Sequence, residues 1–87
     1  MNDYCDINYT KQKLEEYLKK GYEVELCIRI DGNDYMIIPL KNKISFQWIG
    51  KSSESYYSSI SELFNSILIN KIVLNNDWNK IEDIWFY

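Results

Sequence analysis

The sequence predicts an α+β fold: an N-terminal helix, a three-stranded antiparallel meander, a covering helix and a short C-terminal element. Three observations carry this. Tyr22–Ile30 alternates apolar and polar residues at period two, the mark of a half-buried strand. Two turn signals follow, Asp31-Gly32-Asn33 and Lys41-Asn42-Lys43, each flanked by apolar runs. Further on, Ile60, Leu63, Phe64, Ile67 and Leu68 recur at i, i+3, i+4, i+7 and i+8, a full helical stripe.

Taken in order, residues 1–8 read as a loosely held leader to a single domain spanning 1–87. Thr10 is the expected N-cap of the first helix, with Tyr9 and Leu14 spaced as a hydrophobic staple. Its stripe is Leu14, Tyr17 and Leu18, and Gly21 ends it. The narrow stripe places this helix at the margin of the sheet. Glu15 with Lys19, and Glu16 with Lys20, form i,i+4 pairs on its wet face.

In the first strand Tyr22, Val24, Leu26, Ile28 and Ile30 share the dry face. The second strand runs Tyr35–Leu40 and is apolar on both sides, as a middle strand should be. In the third, Ile44, Phe46 and Trp48 alternate with Ser45, Gln47 and Ile49. Three-residue connections at both turns set Val24, Leu26 and Ile28 beside Met36, Ile38 and Leu40, and these beside Ile44, Phe46 and Trp48. A two-residue Asp31-Gly32 turn is the alternative for the first hairpin. Pro39 has no N–H to give a ladder, so pairing beside it should be incomplete.

Residues 50–58, Ser-rich with adjacent Tyr56 and Tyr57, read as a surface loop. Ser59-Ile60-Ser61-Glu62 fits the capping box of the covering helix, which should run to Asn70 across the dry face. Residues 71–74 suit a short strand or an extended linker, and 75–77 a turn or cap. Trp78, Ile81, Ile84 and Trp85 favour a last helix, although Ile84–Tyr87 alone would suit a terminal strand.

Composition narrows the function. No run approaches the roughly 20 apolar residues needed to span a bilayer, and the N-terminus has no secretory pattern. The expected location is therefore the cytoplasm, with Cys5 and Cys27 as free thiols. Ten Lys+Arg against thirteen Asp+Glu give a net charge of −3. That balance and the lack of a basic stripe argue against direct nucleic-acid binding. The wealth of Ile, Lys, Asn and Tyr and the absence of Ala reflect AT-rich codons, pointing to a low-GC bacterium, its phages or other mobile elements.

The absence of His removes the usual general base and every Ser-His or Cys-His nucleophile pair. Two cysteines 22 positions apart make no zinc pattern, and Asp31-Gly32-Asn33-Asp34 lacks the spacing of a calcium loop. No phosphate-binding glycine motif is present. The expectation is no enzyme, no cofactor and no metal site. Instead, eight Tyr, three Trp and three Phe exceed what a core of this size needs. Tyr4, Tyr9, Tyr56, Tyr57 and Tyr87 lie where the pattern buries nothing. Such rings are enriched at protein–protein hot spots, and carboxylates among them suit a basic partner surface. The expected partner-binding residues are Glu23, Glu25, Asp34, Tyr35, Tyr56 and Tyr57.

Leu26-Cys27-Ile28-Arg29-Ile30-Asp31-Gly32-Asn33-Asp34-Tyr35-Met36-Ile37, together with size, acidity and element order, resembles the small phage-encoded anti-CRISPR inhibitors. The resemblance implies an inhibitor of the RNA-guided nuclease of type II systems, with carboxylates occupying a basic groove meant for DNA. The resulting expectation is an acidic interaction module that inhibits or modulates a larger protein. The alternatives are an immunity or antitoxin-type neutralising protein and a homo-oligomeric structural module.

Overall fold

The computed structural model describes residues 3–87. It is α+β: one five-stranded antiparallel sheet with helices against one face. The elements are α1 (Ile7–Lys20), β1 (Leu26–Ile30), β2 (Asn33–Leu40), β3 (Lys43–Trp48), β4 (Ser53–Tyr57), α2 (Ile60–Asn65), α3 (Leu74–Asp77) and β5 (Ile81–Phe86). Strand order is β4-β3-β2-β1-β5, so the meander extends to four strands and β5 returns beside β1.

Two strands add to the expected three, one unexpected and one weighed only as an alternative. Residues 53–57 form an edge strand and not a loop, with Ser53, Ser55 and Tyr57 facing inward and Glu54 and Tyr56 outward. The C-terminal segment is strand β5, the alternative to the favoured helix, because β1 offers it a free antiparallel edge. Helical turns do occur just before it, at Leu74–Asp77 and Trp78–Lys80.

Both hairpins turn in two residues, not three. Ile30 pairs with Asn33, and Leu40 with Lys43. Asp31 and Gly32 have φ of 52° and 77°, the two left-handed residues of a type I′ turn, whose twist matches the strands it joins. Asn42 takes the positive φ in the second turn. Each hairpin is thus displaced by one residue from the expected register. The two displacements cancel between β1 and β3, and only β2 is inverted. Tyr35, Ile37 and Pro39 face the core, and Met36, Ile38 and Leu40 face away. Being apolar on both sides, β2 left its orientation to turn chemistry.

The core joins Leu26, Ile28, Ile37, Ile44, Phe46 and Ile84 of the sheet to Leu14, Leu63, Phe64, Leu74 and Trp78 above it. Leu63 and Phe64 are fully buried, as the covering-helix assignment requires. That helix is shorter than its stripe suggested. It stops at Asn65, where the Ser66 hydroxyl donates to the Glu62 carbonyl, and Ile67 is 75% exposed. Leu68 still reaches the core, through a tight turn in which Asn70 and Lys71 both adopt positive φ.

At the N-terminus, Asp6 and not Thr10 caps α1, accepting from the Asn8 and Tyr9 N–H groups. Thr10 is buried and donates to the Tyr4 carbonyl at 2.7 Å. The Trp78 indole N–H donates to the Cys5 carbonyl at 3.0 Å. Of the expected leader 1–8, residues 3–5 therefore form a docked helical turn and residues 6–8 the cap and start of α1; residues 1 and 2 lie outside the described residues. Gly21 ends α1 as expected. Its φ of 74° and the bonds Gly21 N–H to Leu18 and Tyr22 N–H to Tyr17 make a Schellman motif.

Candidate interaction face

Among the described residues the helices pack on one side of the sheet, and none covers the other. Antiparallel partners point their side chains the same way, so register defines this outer face. One row crosses all five strands: Trp85, Cys27, Met36, Gln47 and Glu54. A second row holds Ile38, Ser45 and Tyr56, and a third Asp83, Arg29 and Asp34. Met36, Ile38 and Trp85 are half-buried, and Tyr56 is 49% exposed. None of these four belongs to the buried core.

The polar groups around this apolar strip are ordered. The Glu54 carboxylate accepts from the Ser45 hydroxyl at 2.7 Å, from the Gln47 amide and from the Tyr56 hydroxyl. Those bonds, Tyr56 foremost, hold the Glu54 carboxyl below its ordinary range, while the same bond raises the Tyr56 hydroxyl. Three neutral donors leave its negative charge in place. Arg29 pairs with Asp34 at 2.7 Å and lies over the Trp85 ring. Lys43 sits 4.1 Å from the centre of the Tyr56 ring. Arg29 and Lys43 are therefore already engaged; Glu54 feels the Lys43 charge and Asp83 that of Arg29, but neither carboxylate makes a contact ion pair among the described residues.

Cys27, beneath this face, is fully buried. Its thiol is pushed up by burial and then by the charges of Glu25 and Asp34, which makes it a poor nucleophile. Cys5 is exposed, and both thiols are free.

The six expected partner-binding residues do not form one surface. Asp34 and Tyr56 share the outer face. Tyr35 is removed from it: only 1% exposed, it stacks on Phe46 and accepts a hydrogen bond from Asn70. Tyr57 faces inward and packs against the core beside Ile44. Glu23 and Glu25 precede β1 and line a separate cleft with Tyr17, Val24, Phe86 and Tyr87. Of the tyrosines thought unburied, Tyr4 packs on the core and meets Tyr9 and Phe86 edge-on.

Sequence reasoning missed Trp85, Met36, Ile38 and Glu54. The signal was present: a two-residue Asp31-Gly32 turn, weighed only as the alternative, turns Met36 and Ile38 outward. The alternation of residues 53–57 does the same for Glu54.

No helix among the described residues is long and apolar enough to cross a membrane, and none of them form a cluster suited to a metal ion. No protein-family model matches the chain, and neither curated proteins nor solved structures give a match.

Proposed function

We propose that this chain is a protein-interaction module whose open sheet face docks on a larger protein with a basic surface. One observation carries the reading: an outer face with Met36 and Ile38 on its middle strand, and an aromatic ring beside a carboxylate on each edge strand, Tyr56 with Glu54 and Trp85 with Asp83. Apolar and aromatic anchors ringed by charge are the anatomy of binding hot spots. The unmatched carboxylates select a cationic partner and speed its encounter. The sequence resemblance to anti-CRISPR inhibitors supports a nuclease of RNA-guided type as that partner, inhibited by occupation of its basic groove.

Two assays test this. Affinity capture from host lysate, run beside a variant carrying Tyr56→Ala and Trp85→Ala, should recover a partner with the wild type and lose it with the variant. Capture that survives both substitutions rules out the face. In parallel, DNA cleavage by type II nucleases should fall as wild-type protein is added, and cleavage unaffected at saturating protein removes the nuclease assignment.

A second reading rests on the sheet edges. β4 and β5 each pair along one side only, and open edges can join a second copy. Light scattering that reports a dimer at micromolar concentration would favour it.

A further inference from the structure

The sheet ends on two edges whose main-chain groups differ. In an antiparallel pair, alternate residues turn their N–H and C=O toward the neighbouring strand and the rest turn them away. The Ile49 N–H donates to the Asp34 carbonyl at 2.9 Å, so β3 bonds β2 through Lys43, Ser45 and Gln47, and bonds β4 through Ile44, Phe46 and Trp48. On β4 the main-chain groups of Ser53, Ser55 and Tyr57 therefore meet β3. Those of Glu54 and Tyr56 point off the sheet and have no partner among the described residues. Just beyond, the Ser58 N–H is taken by the Glu62 carboxylate at 3.3 Å, which closes that end of the edge. On β5 the Tyr87 N–H donates to the Glu25 carbonyl, so Ile84 and Phe86 point off the sheet; there the Asp83 carboxylate accepts the Ile84 N–H at 2.9 Å. The β5 edge is thus blunted by its own side chain, and the β4 edge is open.

We infer that the open edge of β4 pairs with β4 of a second copy, antiparallel, about a two-fold axis at Ser55. The strand itself selects this register. Centred on Glu54, two like carboxylates would stand directly opposite each other, which is unfavourable. Centred on Tyr56, Glu54 would meet Ser58, whose N–H is already occupied. Centred on Ser55, Glu54 of each copy faces Tyr56 of the other, and every outward main-chain group of both residues is satisfied. The side chains agree. Within one chain the Tyr56 hydroxyl already donates to the Glu54 carboxylate, and Lys43 lies 4.1 Å from the centre of the Tyr56 ring. Pairing sets Glu54 of the second copy on the far side of that ring, opposite in charge to Lys43. Carboxylate, phenol and ammonium then alternate across the axis on the outer face.

This inference rests on the second reading above, association of like chains, and its test separates the two. At the axis Ser55 faces its own copy as a non-hydrogen-bonded pair, with Cα atoms about 4.5 Å apart, inside the range of about 4.4–6.8 Å that a disulfide spans. Cys5→Ser removes the exposed thiol, and Cys27 is buried. In that background Ser55→Cys and, separately, Ser53→Cys are oxidised with glutathione disulfide and followed on non-reducing gels. Light scattering of the unsubstituted chain is recorded over rising concentration. The expected result is a dimer by scattering, with Ser55→Cys cross-linking about tenfold faster than Ser53→Cys, which this register places opposite Tyr57. A dimer in which Ser55→Cys cross-links no faster than Ser53→Cys overturns the β4 assignment and leaves self-association standing. A monomer at every concentration overturns both.

Discussion

The inner and outer faces of the sheet use the same five strands and treat water in opposite ways. On the inner face Leu26, Ile28, Ile37, Ile44 and Phe46 are wholly sealed by helices. On the outer face Met36, Ile38 and Trp85 are shielded only by their neighbours, and the sole fully buried groups are Cys27 and the hydrogen-bonded Ser45. An apolar side chain can therefore hold the fold together or sit ready for another molecule, according to whether a helix covers it. Hydrophobicity alone does not separate the two roles.

The strongest test of that contrast is truncation at its most sealed point. Phe46→Ala should cost about 3–5 kcal/mol in denaturant unfolding, and Leu63→Ala, beneath α2, about 2–5 kcal/mol. Adjacent residues then sharpen it. Ile37→Ala should lose about 2–5 kcal/mol and Ile38→Ala about 1 kcal/mol or less, although the two are chemically identical. Equal losses would mean the outer face is covered as well. Next in size is Gly32→Ala, which puts a Cβ on a residue at φ 77° and should cost about 1–2 kcal/mol by strain in the turn that sets the register.

Smaller still is an acid effect on the outer face. A carboxyl held below its ordinary range contributes stability above that range and loses it as pH falls through the lowered value. Glu54 is such a group, so Glu54→Gln should lower the melting temperature slightly at neutral pH and flatten its fall below about pH 4.5. Least disturbing is alkylation of the native protein. Iodoacetamide should label the exposed Cys5 and spare Cys27 until the chain unfolds, as peptide mass mapping would show.

Much of this architecture was legible in the residues, and the errors have physical causes. The Ser59 cap, the Gly21 stop and the burial of Leu63 and Phe64 follow from local rules that the structure obeys. β2 was misoriented because Tyr35-Met36-Ile37-Ile38 offers two equally apolar faces, so pattern cannot choose between them. β4 was missed because Ser and Glu carry little strand propensity; an edge position beside β3 supplies what propensity does not. β5 was read as helix because Trp78, Ile81, Ile84 and Trp85 satisfy helical spacing, while the long-range pairing with β1 leaves no local trace. The site suffered accordingly. Tyr56 and Asp34 do lie on the outer face, Tyr35 is in the core, and Trp85 stands on the C-terminal strand that was weighed only as the alternative to a helix.

The irregularity between β1 and β5 bears on how the molecule assembles. The register shifts beside Arg29 and Ile30, and Glu82 uses the slack to accept the Gly32 N–H at 3.0 Å, linking positions 50 apart in sequence. During synthesis, the first hairpin must wait with a bare flank until β5 emerges to clasp it. Until then the outer flank of β1 is an open edge, the kind of edge that pairs with other backbones.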